Sequence, residues 1–185
     1  MSRNKREELI RNALKIFYRN GFNATGMDLV AKESGVSKTS IYNHFRTKDE
    51  LILAVLRLRD ENFRDWLFRR MEELSAAPAG QLLALFDALE EWFAEDGYQG
   101  CMFVKASAEF QDADNAINRQ SYAHKLLIED HLTQLADAAG YATPRAIARQ
   151  LLILKEGAIV LSAMSHDKAA AQQAKAMAQL LLRVD

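Results

Sequence analysis

The chain has 185 residues, of which 49% are hydrophobic and 26% charged, with one cysteine and two prolines. That length buries a sizeable core, and the composition is that of a globular protein rather than a disordered or fibrous one. A single cysteine excludes an internal disulfide framework, and no stretch approaches the roughly 18 apolar residues of a membrane span, so the cytoplasm is the expected setting.

The net charge of −1 conceals an asymmetry. Residues 1–48 carry ten Lys/Arg against four Asp/Glu, a net of +6, while the remainder carries fourteen against twenty-one, a net of −7. A basic head on an acidic body suggests that the head meets a polyanion. The opening Met1-Ser2-Arg3-Asn4-Lys5-Arg6 runs straight into Glu7 and Glu8, without the apolar stretch a secretion signal needs.

Apolar residues recur at helical spacing almost throughout, and strand alternation is nearly absent. With Leu and Ala abundant and proline scarce, this predicts an all-α chain of about nine helices. The first is expected over about Asn4–Asn20, with Leu9, Ile10, Ala13, Leu14, Ile16 and Phe17 as its apolar stripe and Gly21 as its stop. Phe22 then packs back. A short helix follows from Met27 to Ser34, entered through Thr25 or Gly26, with Leu29, Val30 and Ala31 facing inward. Gly35 makes a tight turn, Val36 fills the gap, and Ser37 is the N-cap of a third short helix, Lys38 to about His44.

Thr47-Lys48-Asp49-Glu50 reads as a capping box, opening a long helix that reaches about Leu74 and is closed off by Pro78-Ala79-Gly80. Further helices are expected at about Gln81–Glu95, Phe103–Gln111, Asn115–Ala139, Pro144–Ser165 and Ala169–Arg183. Thr143-Pro144 has the form of an N-cap followed by proline at the first helical position.

The informative stretch is Met27 to Lys48. Two short helices joined by a Ser-Gly-Val turn form the layout of a helix-turn-helix, whose second helix enters the major groove of DNA. That helix presents Ser37, Lys38, Thr39, Ser40, Tyr42, Asn43 and His44, and only Ile41 and Phe45 look inward. Hydroxyls and amides donate to phosphates and base edges, whereas carboxylates, absent from this run, would be repelled. A solvated polar helix without a partner is the alternative.

Residues 10–51 resemble the DNA-binding domain of the TetR/AcrR family of regulators. The resemblance rests on Ile10, Ala13, Leu14, Phe17, Gly21, Phe22, Thr25, Val30, Ala31, Gly35-Val36-Ser37, Ile41-Tyr42-Asn43-His44-Phe45 and Lys48-Asp49-Glu50-Leu51. It implies a three-helix DNA-binding domain at 1–48 and a helical ligand-binding and dimerisation domain at 49–185, pairing through the last two helices. It also implies roles: Thr39 and Ser40 at or near base edges, Tyr42 and His44 on phosphate or sugar, Asn43 on either. Lys38 and Lys48 supply charge, and Thr25 reaches a phosphate. Where many members carry a second hydroxyl after that threonine, this chain has Gly26.

In the body, Trp92, Phe103, Phe110 and Tyr122 either line an apolar ligand pocket or pack as plain core, with Glu109 and His124 as the polar groups a pocket would use. His124 and His131 lie two helical turns apart, about 10 Å, too far for one metal ion. No metal or cofactor is expected. Cys101 is either a small buried hydrophobe or a reactive sensor. Ile147, Leu151, Leu152, Leu154, Ile159 and Leu161, with Ala174, Met177, Leu180 and Leu181, make the last two helices apolar on wide faces that a second copy would cover.

The expected function is a DNA-binding transcriptional regulator, a homodimer on a palindromic double-stranded operator. It is expected to act as a repressor released by a small-molecule effector. An activator, or a regulator responding to oxidation of Cys101, is the alternative. No Gly-rich phosphate loop, activated nucleophile or metal-spaced carboxylate pair suggests an enzyme.

Overall fold

A computed structural model describes residues 3–167 and 169–182 of the chain. Among these the secondary structure is nine α-helices and no strand. They are α1 (Arg3–Asn20), α2 (Met27–Ser34), α3 (Lys38–Tyr42), α4 (Lys48–Leu74), α5 (Pro78–Phe93), α6 (Met102–Glu109), α7 (Ala116–Ala138), α8 (Pro144–Ser165) and α9 (Ala170–Leu181). None is long and apolar enough to cross a membrane. The expected end of the last helix at Arg183 lies outside the described residues.

The chain forms two compact units, Met1–Asn62 with Met102–His124, and Phe63–Cys101 with Lys125–Asp185. The first unit takes in α6: Lys105 donates to the Tyr18 carbonyl in the last turn of α1, and Glu109 and Phe110 hold Phe22 in the turn that follows.

In this first unit α1 buries Leu9, Ile10, Ala13, Ile16 and Phe17 along one face, and Leu14 stays half-buried. Gly21 ends the helix. Its φ of +80° is a left-handed turn that a Cβ would strain, and its amide donates to the Phe17 carbonyl at 2.9 Å. Phe22, fully buried, folds back onto Phe17 with ring centroids 5.5 Å apart. Helix α3 is shorter than expected, five residues, with buried Ile41 and Phe45 as its anchors.

The box before α4 forms with one difference. Thr47 Oγ1 accepts the Glu50 amide at 3.1 Å, but the Glu50 carboxylate takes the Arg46 amide, at 2.7 Å, one residue further back than the usual partner.

In the second unit α5 packs against α8 and α9. It buries Leu82, Leu85, Phe86, Leu89 and Trp92. Each such side chain contributes about 1.5–3 kcal/mol. Ala170, Ala171, Ala174 and Ala178 form the buried stripe of α9, small enough to bring the helices close. Pro78 opens α5 at its first turn rather than closing the preceding section, as its missing N–H allows. Thr143 precedes α8 without a side-chain cap bond, so Pro144 alone marks that start.

Candidate nucleic-acid interface

The position of α3 follows from its two ends. Ser37 is extended at φ −61° and ψ 146°, and its Oγ accepts the Ser40 amide at 3.2 Å. Ile41 and Phe45 are buried beneath it. What remains outward is Ser37, Lys38, Thr39, Tyr42 and Asn43, all exposed, with Ser40 and His44 partly so. No carboxylate lies on this helix.

Tyr42 is 43% exposed, so its ring is presented rather than packed. Lys38 is not a free charge: Nζ lies 2.8 Å from Asp28 Oδ1, and that hydrogen bond holds its ammonium above the ordinary lysine range. A phosphate must displace or share this exposed pair, which is weak in water. His44 Nε2 is buried without a hydrogen-bond partner, so that nitrogen does not face a duplex. Lys48, half-buried, is the first residue of α4, where amides lack intrahelical acceptors.

Thr25 requires a correction. It is fully buried, and its hydroxyl donates to the Gly21 carbonyl at 2.6 Å. The side chain thus ties the turn to the end of α1 and is not on the outward face. Two cations that the sequence reading passed over join the surface instead. Arg46 is exposed just before α4, and the Arg6 guanidinium sits 4.8 Å from the Phe45 ring centroid, carrying charge from α1 to the end of α3.

The six residues considered for a ligand pocket fall into separate groups. In the first unit, Glu109 accepts the amides of Phe22, at 3.0 Å, and of Asn23, and Phe110 packs edge-on against Phe22 at 6.1 Å. Both therefore serve the turn after α1. Phe103 stacks on His124 at 3.7 Å, and His124 Nδ1 lies 2.7 Å from Asp60 Oδ1, a buried acid–imidazole pair. Tyr122 is 56% exposed. In the second unit, Trp92 belongs to an aromatic group with Phe63 at 4.8 Å and Tyr98 at 4.9 Å.

The sequence reading also missed a buried charged cluster in the second unit. Lys125 and Lys155 both bond Glu156, and Lys125 Nζ is 3.2 Å from Cys101 Sγ. The signal available was slight: Lys155 interrupts the run of Ile147, Leu151, Leu152, Ala158 and Ile159 on the inward face of α8.

Residues 9–55 match the family described as bacterial regulatory proteins, tetR family. Over 97% of this chain and 94% of the relative, the sequence is 22% identical to the HTH-type transcriptional regulator YjdC of Escherichia coli (strain K12). A 98-residue stretch, 49% of this chain and 46% of the relative, is 32% identical to the HTH-type transcriptional repressor KstR2 of Mycolicibacterium smegmatis. The fold is similar to that of SCO4454, a TetR-family transcriptional regulator from Streptomyces coelicolor, with a TM-score of 0.88 and 29% identity over 96% of this chain and 94% of that one.

Proposed function

The chain belongs to the TetR family of DNA-binding transcription regulators, and from that premise we propose that it is a repressor holding a two-fold symmetric operator until a small molecule enters its body. Residues 1–48 form the DNA-binding part and 49–185 the effector-binding and dimerising part. The observation that carries this reading is the outward face of α3, polar, hydroxyl-rich and free of carboxylates, over a buried Ile41–Phe45 anchor.

Thr39 and Ser40 meet or adjoin base edges. Tyr42 and His44 meet phosphate or sugar, the latter through a group other than its buried Nε2, and Asn43 serves either. Ser37 caps the helix and has a hydroxyl proton left to donate, while Lys38 and Lys48 supply charge. The repressor sign draws on KstR2, a repressor by name. Activation and thiol switching at Cys101 are less favoured: FasR, an activator by name, is similar over 58 residues, against 98 for KstR2.

A homodimer through α8 and α9 fits the apolar groups these helices leave in water. Met164 is 78% exposed, Leu180 68%, Ile153 61% and Met177 56%. A second copy covering them would set two α3 helices in successive major grooves, about 34–36 Å apart or a multiple of that. The test of repression is a reporter whose promoter overlaps an operator selected by the protein. Output falls when the chain is expressed; a rise, or no change, contradicts repression.

A further inference from the structure

Inside the second unit two lysines share one carboxylate. Lys125 Nζ lies 2.8 Å from both oxygens of Glu156, and Lys155 Nζ lies 2.7 Å from Oε1 of the same group. Ionised together, the three carry a surplus of one positive charge. The Cys101 thiol lies beside them, 3.2 Å from Lys125 Nζ. The Phe63 ring centroid is 5.9 Å from Lys155 Nζ, and Trp92 and Trp66 lie 4.8 and 5.7 Å from Phe63.

Exposure falls steadily through the cluster. The Glu156 side chain is 25% exposed, that of Lys125 15% and that of Lys155 1%. Water therefore reaches the first two, and the Lys155 ammonium sits at the inner end. An ammonium has three protons to donate, and Glu156 Oε1 accepts one of them. Burial pushes the Lys155 pKa below the ordinary lysine range. An apolar side chain of similar length would fill the same space without that penalty, so packing alone gives no reason for a lysine here.

We propose that this cluster is the anion-receiving end of the effector site: Lys155, steadied by Glu156 and Lys125, takes the carboxylate of a small monoanion whose apolar body lies along Phe63 and Trp92. The inference rests on the reading of the chain as an effector-responsive regulator. A carboxylate neutralises the surplus charge, accepts the remaining ammonium protons and presents its hydrocarbon to rings that favour it. Neutral ligands of the same shape gain only the last of these.

The test titrates the full chain with benzoate and octanoate, each against its uncharged amide, benzamide and octanamide. Binding is read by calorimetry and thermal shift, and operator release is read in parallel. The acids bind about tenfold or more tightly than their amides, and Lys155→Met, itself folded, loses that preference. Equal binding of acid and amide, no binding of either acid, or an unchanged preference in Lys155→Met overturns the site. If that variant does not fold, the acid–amide comparison in the unaltered chain decides the matter. A neutral compound that releases the operator keeps the effector reading and overturns this assignment. A carboxylate held through Lys155 without releasing DNA keeps the site and overturns the release mechanism.

Discussion

Glu109 of α6 accepts the main-chain amide of Phe22 at 3.0 Å, and its other oxygen accepts that of Asn23. One carboxylate thus holds both leading donors of the turn between α1 and α2. Gly21, just before them, would place a Cβ 3.0 Å from the same carboxylate. Lys105 reinforces the grip by donating to the Tyr18 carbonyl at 3.2 Å. The turn that sets the angle of α2, and through it α3, is therefore built partly from a segment more than eighty residues away in sequence.

Replacing Glu109 by Gln leaves one good acceptor where there were two and removes the charge. The expected cost is about 1–3 kcal/mol in stability, toward the lower end because the group is only partly buried. Urea melts measure this, and operator affinity should fall in parallel. Full stability in Glu109→Gln contradicts the assignment.

Thr25→Val keeps the shape and deletes the hydroxyl that donates to Gly21. It should lower stability by about 0.5–1.5 kcal/mol while leaving the salt dependence of DNA binding unaltered. A shallower salt slope would instead return Thr25 to the phosphate-contacting set.

Lys48→Ala and Thr39→Ala should separate grip from reading. Losing a phosphate contact lowers the slope of log affinity against log salt by about 0.9 for each contact and weakens all duplexes alike. Losing a base contact costs about 1–3 kcal/mol of discrimination at one position of the operator. Binding titrations at several salt concentrations, against the operator and its single-base variants, distinguish the two.

Lys155 and Glu156 each make stability rise with pH, at opposite ends of the scale. Burial pushes the Lys155 pKa below its unfolded value, so between the two the unfolded chain holds the extra proton and stability rises with pH. Lys155→Met should flatten that rise. Burial works to raise the Glu156 carboxyl, but Lys155 and Lys125 outweigh it and hold the group at about 2. Its contribution is present above the ordinary carboxylate value and lost as pH falls through about 2, and Glu156→Gln should abolish that loss. Melting temperatures across both ranges report the signs.

Introducing Glu at Met164 and Leu180 together should leave the helical content of the chain unchanged, since both side chains are exposed within it. It should weaken self-association by about 2 kcal/mol or more. Sedimentation equilibrium gives the answer, and an undisturbed dimer would move the interface elsewhere.

Much of this architecture is legible in the sequence because it is local. Helix periodicity, the Ser37 cap, the Gly21 and Gly35 stops and the Thr47 box each depend on neighbours within a few residues, and α2 and α8 fall where the pattern predicts. What the sequence hides is long-range. Glu109 and Phe110 look like pocket residues until the chain brings them to Phe22, and Asp28 is unremarkable until it pairs with Lys38. Thr25 looks like a surface hydroxyl because nothing local shows that Phe22 and α6 close over its turn. Lys155 is hidden for a similar reason: one lysine in an apolar stripe reads as a solvated end, and only burial reveals the charge.

The central claim is that α3 reads duplex DNA by its outward polar face, and selection of bound fragments from random double-stranded DNA tests it most directly. The account predicts enrichment of a two-fold symmetric site with half-site centres about 10–10.5 base pairs apart or a multiple of that, and a changed base preference for Thr39→Ala. Absence of any enriched sequence at low salt, or identical preferences in both proteins, contradicts it.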